Sequence, residues 1–432
     1  MKLTVTPLES LADEAPGIQV SGIHPGDSVV LEVSCTDPAG HRWSGSNTYC
    51  AGEDGTVSPD ATAPLMGDYD GVDPTGPFWS MGFADERTAP TTFTLPFGPL
   101  DFEVGAACGD SAARVTSTRT WDGSVGRRDL SGEGFRSELF LAESSAEKPL
   151  VVIVPGSTGP AGMRPVAGLL AGRGYNAAVL SYMQQDGLPS SLKEIPLESI
   201  HRGIKALAGH PEVDGGRVAV LSYSVGTTVA LASLCFDGAP PVAGVVAVAP
   251  SSVVWQALSE GGPPPRCSSL TSGGQPLDWL PMHGEQIMPE LIKHATVDRL
   301  YRRHPRPHAL HLRKTYEPGL ADSEAADAAA IPVERIEAPL LLLSGADDEM
   351  WPASEMAAAV IQRRQEHGIQ TDRHIDYPRA GHFIRPPVAP TTVAWNDDLV
   401  SGGTPEGSAL ADRDGWVTML DTLADWFDST ST

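Results

Sequence analysis

The chain has 432 residues, 41% of them hydrophobic, with 55 acidic against 30 basic side chains and a formal net charge of −25. That balance speaks against nucleic-acid binding, which needs clustered Lys and Arg on phosphates, and no apolar run approaches the ~20 residues of a membrane span. Five cysteines (Cys35, Cys50, Cys108, Cys235, Cys267) lie far apart with no C-x-x-C pair, which argues against a disulfide framework or a zinc site and for a reducing, cytoplasmic compartment.

In chain order, the start "MKLTVTPLES" has neither a basic n-region nor an apolar h-region, so no signal peptide is expected. Residues 1–128 then read as short alternating segments such as "GIQVSGI", "SVVLEVSCTD", "TTFTLPF" and "LDFEVGAAC", with turn clusters "HPGD", "DPAG" and "EDGT" between or near them. Period-two alternation broken by turns predicts an antiparallel β-sandwich. Arg outnumbers Lys, and Ala, Gly, Pro and Asp are abundant, a composition expected of a GC-rich bacterial source.

The pattern changes over residues 129–432. "KPLVVIVPG" is a near-continuous apolar strand, as a parallel strand covered on both faces should be. Helices and the strands "NAAVLSY", "RVAVLSY", "VAGVVAVAP", "PLLLLSG" and "RHIDYP" then alternate, ending in a helix near Trp416 to Phe427. That order specifies a doubly wound, mostly parallel α/β sheet. The segment 251–331 interrupts it and is too long for a plain connection, so it is read as a lid or insertion. Within it lies a basic stretch with Lys293, Arg299, Arg302, Arg303, Arg306, Arg313 and Lys314.

Three motifs stand at strand ends in the chain order Ser, acid, His of an α/β-hydrolase. "VLSYSVG" places Ser224 between a strand and a helix, with Ser222 where the G-x-S-x-G elbow has its first glycine. "LLLLSGADDEMWP" ends a buried strand in an acidic pair, and "YPRAGHFIRPP" carries His382 after a strand. A serine hydroxyl needs a neighbouring base to become a nucleophile, and the base needs a carboxylate to hold its tautomer. Of the pair, Asp348 fits the spacing between Gly345 and Pro352, leaving Asp347 as a solvated or turn-capping carboxylate. The oxyanion hole is expected from the backbone N–H of Val225 and of Ser157, with Thr158 as the alternative, in the glycine-rich loop "VPGSTGP". Trp351 and Trp279 are candidates for an acyl pocket, Cys235 for the core, and His201, His210 and His283 for the surface or loops. No metal ligands are expected.

These residues give the chain a resemblance to the acyl-CoA thioesterase and bile acid-CoA:amino acid N-acyltransferase family. It is carried by "LTVTPLESLADEAPGIQVSGIHPGDSV", "GDYDGVDPTGPFWSM", "LPSSLKEIPLESIHRGIKALAGHPEV", "IPVERIEAPLLLLSGADDEMWPAS" and "YPRAGHFIRPP". The resemblance implies an N-terminal immunoglobulin-like sandwich, an α/β-hydrolase catalytic domain, and a Ser or Cys, Asp, His triad falling on Ser224, Asp348 and His382. In that family Ser goes with thioester hydrolysis and Cys with N-acyl transfer. The expectation is therefore hydrolysis of an acyl-CoA or acyl-carrier-protein thioester through an acyl-Ser224, with coenzyme A present only as part of the substrate. Acyl transfer to an amine or alcohol in secondary metabolism, carboxylesterase activity and an inert binding module are the competing outcomes. Arg302, Arg303 and Arg306 are expected to offer coenzyme A or an acidic carrier a positive surface. Ser222 in place of the first elbow glycine, and Val225 where many members carry Lys, depart from the family pattern.

Overall fold

Alternation in the first hundred residues does what it predicts. In the strand Ser28–Thr36, Val29, Leu31, Val33 and Cys35 are buried, and the residues between them face outward. The structure is a computed structural model that describes residues 1–85, 90–144, 146–259, 263–293, 295–296, 310–396 and 399–429. Its first strands are β1 (Lys2–Thr6), β2 (Glu9–Leu11), β3 (Gly17–Ser21), β4 (Ser28–Thr36), β5 (Arg42–Cys50), β6 (Thr56–Val57), β7 (Gly82–Phe83), β8 (Pro99–Cys108) and β9 (Ser111–Thr120). They form a three-stranded sheet, β1-β3-β6, and a six-stranded sheet, β2-β9-β8-β4-β5-β7. Every pairing is antiparallel except β2 with β9.

The next strands are β10 (Gly126–Gly132), β11 (Phe135–Leu141), β12 (Lys148–Val154), β13 (Asn176–Ser181), β14 (Ile195–Pro196), β15 (Val213–Tyr223) and β16 (Gly244–Val248). They are followed by β17 (Leu270–Ser272), β18 (Gln275–Pro276), β19 (Leu340–Gly345) and β20 (Arg373–Tyr377). Eight of them make one sheet in the order β10-β11-β13-β12-β15-β16-β19-β20, parallel from β13 onward. β10 and β11 form an antiparallel hairpin at its edge, and residue 128 lies inside β10. Sequence alone places the first strand of this sheet at Lys148. The hairpin escapes notice because its outer strand carries Arg127, Arg128 and Asp129, the charged face that an edge strand presents.

The apolar run of β12 is continuous because the sheet is covered twice. Val151 and Ile153 join one core with the helices Arg164–Gly172 and Pro405–Ser429 and with the N-terminal sheets. Leu150, Val152 and Val154 join a second core with the helices Leu197–Ala208, Val225–Cys235 and Ala353–Glu366. The segment 251–331 contributes β17 and β18, which pair with β14 in a small sheet, and three short described helices, Met288–Lys293, Arg313–Ala321 and Ser323–Ala328.

Polar contacts join the two halves. Arg173 Nε and Nη2 donate to the two oxygens of Asp13 at 2.8 Å each, and Trp416 Nε1 donates to Asp13 Oδ2 at 2.8 Å. The Asp13 side chain is 1% exposed, so its charge depends on these donors. Asp13→Ala leaves the indole N–H and the guanidinium without this acceptor. Thermal and denaturant unfolding should show a loss of about 2–4 kcal/mol.

Candidate active site

Strand β15 runs apolar to Ser222 and Tyr223, and the helix Val225–Cys235 is buried along its whole length. Between them Ser224 has φ +51 and ψ −129, a backbone region unfavourable for any residue with a side chain. Its N–H donates to Val248 O at 2.9 Å, and its carbonyl accepts from Thr227 N–H and Oγ1 at 2.8 and 2.6 Å. The turn also needs Gly226, because a Cβ there would lie 2.5 Å from the carbonyl oxygens of both Val154 and Pro155. Ser222 is fully buried and donates to Val246 O at 3.2 Å, so the missing first glycine is replaced by a small, satisfied side chain.

Asp348 and His382 follow the neighbouring strands β19 and β20, and the structure brings both to Ser224. Ser224 Oγ lies 2.9 Å from His382 Nε2, and His382 Nδ1 lies 2.7 Å from Asp348 Oδ2. With Nδ1–H donating to the carboxylate, Nε2 is left to accept the serine proton. The other oxygen, Asp348 Oδ1, accepts from the N–H groups of Met350 and Trp351 at 2.8 and 3.1 Å. Asp348 is 1% and His382 4% exposed, whereas Asp347 faces solvent. The His382 N–H donates to Ser401 O at 2.8 Å.

The loop after β12 abuts the elbow, since a Cβ on Gly156 would sit 3.2 Å from Ser224 Cβ. Val225 opens its helix, so its N–H has no acceptor within the helix. Ser157, next to Gly156, is exposed. Trp351 packs edge-on to the imidazole with ring centroids 5.9 Å apart at 76°, and its Nε1 is buried without a hydrogen-bond partner among the described residues. Tyr316 stands against Trp351, and Trp255 against Tyr316. Trp279 is half-buried against the same core.

Arg302, Arg303 and Arg306 lie outside the described residues. At the C-terminal end of the basic stretch the described cations are engaged: Lys314 with Glu290, and Arg313 with Glu317, Glu355 and Asp348 O. Cys235 is buried, and burial pushes its thiol up to about 12. His201, expected at the surface, is instead buried beneath the elbow helix, its Nε2 2.6 Å from Ser233 O. Its position on the inward face of an amphipathic helix was the available signal. Among the described residues no group of three or more His, Cys, Asp or Glu side chains is placed to hold a metal ion, and no helix is long and apolar enough to cross a membrane.

Several supporting residues give no local signal. Tyr182 Oη donates to Pro155 O at 2.8 Å, and Gln184 Nε2 to Ser157 O at 3.1 Å, so the residues just after β13 brace the loop beside the elbow. Behind His382, Asp412 Oδ1 accepts the Arg385 N–H at 2.7 Å. Arg385 Nη1 reaches across to Phe93 O at 3.2 Å.

The sheet order, the strained serine and the buried Asp–His pair define a catalytic domain of the α/β-hydrolase type. The chain belongs to the family described as BAAT / acyl-CoA thioester hydrolase C terminal, whose model matches residues 195–426, more than half of its length. The family's N-terminal region model matches residues 13–126. Relatives along nearly the whole chain include the bile acid-CoA:amino acid N-acyltransferase of Mus musculus, 28% identical over 90% of this chain and 88% of that protein. Others are acyl-coenzyme A thioesterase 5 of Mus musculus and acyl-coenzyme A thioesterase 1 of Homo sapiens, each 27% identical over 94% of this chain and 91% of the relative. Among solved structures, a dienelactone hydrolase-like promiscuous phosphotriesterase from metagenomic libraries aligns with TM-score 0.42 at 17% identity, over 70% of this chain and 97% of that one.

Burial pushes the Asp412 carboxyl up to about 7, against the lowering pull of the Arg385 guanidinium and backbone N–H. A carboxyl raised above its unfolded value of about 4 binds more protons in the folded than in the unfolded state, so its contribution to stability falls as pH rises through that window. Asp412→Asn keeps an acceptor and removes the ionisation. Denaturant unfolding should show wild type losing about 2 kcal/mol between pH 5 and pH 7 relative to the variant.

Proposed function

We propose that this chain hydrolyses acyl thioesters, of coenzyme A or of an acyl carrier protein, through an acyl-Ser224 intermediate. The observation that carries the reading is the unbroken hydrogen-bond line from Ser224 Oγ through His382 to Asp348, and family membership supports the substrate class. His382 Nε2 takes the hydroxyl proton as Ser224 Oγ attacks the thioester carbonyl. The N–H groups of Val225 and Ser157 receive the developing oxyanion. The C–S bond breaks, the protonated imidazole returns its proton to the leaving thiolate, and Asp348 stabilises the imidazolium meanwhile. Water, deprotonated by His382, then attacks the acyl carbonyl, the C–Oγ bond breaks, and the imidazolium returns the proton to Ser224 Oγ as the free acid leaves. The nucleophile decides the second half of the cycle: an acyl-serine is an oxygen ester, less activated toward amines than the thioester that a cysteine would form.

The same proposal includes an immunoglobulin-like sandwich for the N-terminal sheets, supported by the antiparallel ladders β5-β4-β8-β9, with the domain division near residue 128. Five unpaired cysteines support a cytoplasmic setting.

Ser224→Ala should lower the turnover of acyl-CoA about 10³-fold or more, followed by thiol release. Quenched wild-type reactions should carry the acyl mass on the peptide containing Ser224. With amino acids or alcohols added, free acid is the expected product. Amide or ester as the main product would replace hydrolysis by acyl transfer, and an unimpaired Ser224→Ala enzyme would end the serine mechanism.

A further inference from the structure

A cavity of about 480 Å³ lies between the β10–β11 hairpin, the end of β13 with Gln184 and Gln185, and Pro160 at the far end of the loop that abuts Ser224. Its size falls within the range of about 300–1,000 Å³ usual for small-molecule sites. In sheet order, β19 and β20 bring Asp348 and His382 from one side of β15, and β12 and β13 bring this loop and cavity from the other. Gln184 connects the two places. It lines the cavity, and its Nε2 holds Ser157 O at 3.1 Å. It can lie across the loop only because Gly159, at φ +75, has no side chain; a Cβ there would sit 2.3 Å from Gln184 Oε1.

The lining chemistry narrows the ligand. Asp129, Glu138 and Asp186 face Arg136 and Arg164 around the cavity, so carboxylates outnumber guanidiniums. Both guanidiniums are also engaged: Arg164 Nε donates to Glu138 Oε2 at 2.6 Å, and Arg136 Nη1 to Phe135 O and Gly132 O at 2.8 and 3.1 Å. A phosphate would meet net negative charge, and the Arg164 guanidinium is already paired with Glu138. The remaining polar wall, with Ser181, Gln184 and Gln185, offers both donors and acceptors. That mixture suits an uncharged chain of amides and hydroxyls. Another cavity, of about 410 Å³, has Val253, Leu320, Ile331 and Met356 in its wall beside Ser252, Gln362 and four charged side chains, but no residue that touches the loop beside Ser224.

We propose that the cavity beside Gln184 binds the pantetheine arm of the thiol carrier, the uncharged bis-amide segment that coenzyme A and acyl carrier proteins share. The inference rests on the thioester reading of Ser224. The arm runs from the sulfur at the elbow past Ser157, and its amides meet the polar wall while its phosphate end stays outside.

The test compares one acyl group on three carriers: ethanethiol, pantetheine and coenzyme A. Wild type should show kcat/KM at least 10-fold higher for the pantetheine than for the ethanethiol thioester, and free pantetheine should inhibit competitively. Two cavity-filling variants at exposed positions on opposite walls, Ser131→Trp and Gln185→Trp, should each lower that pantetheine-to-ethanethiol ratio at least 10-fold and weaken the inhibition. Equal kcat/KM for the two thioesters in wild type overturns the proposal whether or not the variants fold. An unchanged ratio in a folded variant does so as well. Failure of wild type to hydrolyse any thioester would instead overturn the thioesterase reading. Acyl-carrier protein run beside acyl-CoA tells which source supplies the arm; loss on both when the cavity is filled supports the shared segment.

Discussion

The hydrogen bond between His382 Nδ1 and Asp348 Oδ2 is the contact around which the catalytic half is arranged. A carboxylate that is 1% exposed is tolerable only if its lone pairs are filled. Asp348 meets that condition with one imidazole and two backbone N–H groups, all supplied within the loops after β19 and β20. Close backbone packing keeps those loops together: a Cβ on Gly345 would lie 2.3 Å from Gly381 O, and one on Gly381 would lie 2.2 Å from Gly402 O. The strained Ser224 backbone is offset in the same way, by the bond to Val248 O and by the buried helix that follows.

The chain after His382 has little regular structure of its own, so its position depends on what it rests against. Thr391 N–H donates to Trp79 O at 3.0 Å, Thr392 Oγ1 to Met81 O at 2.7 Å, and Trp395 Nε1 to Pro90 O at 2.9 Å. Arg385 adds its contact with Phe93 O. Thus the segments around Trp79 and Phe93 of the N-terminal half supply acceptors to the stretch after His382, and a single apolar core runs from β4 through the helices Arg164–Gly172 and Pro405–Ser429 into the eight-stranded sheet. The two halves share both hydrophobic burial and the hydrogen bonds that hold the histidine segment.

Around Ser224 the chemistry is graded. Toward β19 and β20 the surroundings are the imidazole and the aromatic row Trp351, Tyr316 and Trp255. Toward β12 and β13 they are glutamines, serines and charged side chains. An acyl thioester has the same unevenness, with an apolar acyl chain at one end and a polar carrier at the other.

Ser224 and Asp348 were legible in the sequence because each stands where an apolar run of strand length meets small residues, and His382 because it follows the turn-rich YPRAG after a short strand, signals that need only neighbours. The parallel strands were legible for the same reason: burial on both faces writes an uninterrupted apolar run. The edge hairpin β10–β11 was not, because exposure on an edge makes a strand read as polar. The Gln184 brace, the Arg385–Asp412 contact and the Ser401 carbonyl had no sequence signature, since their partners are distant in the chain or are backbone atoms of any residue type. Sequence by itself determined the alternation of strands and helices that makes the mostly parallel sheet, and the order in which Ser224, Asp348 and His382 follow its strands. Only the tertiary structure decided the distances that join Ser224, His382 and Asp348 and where a polar cavity lies beside the elbow loop, because burial and hydrogen-bond geometry exist only once distant segments pack together.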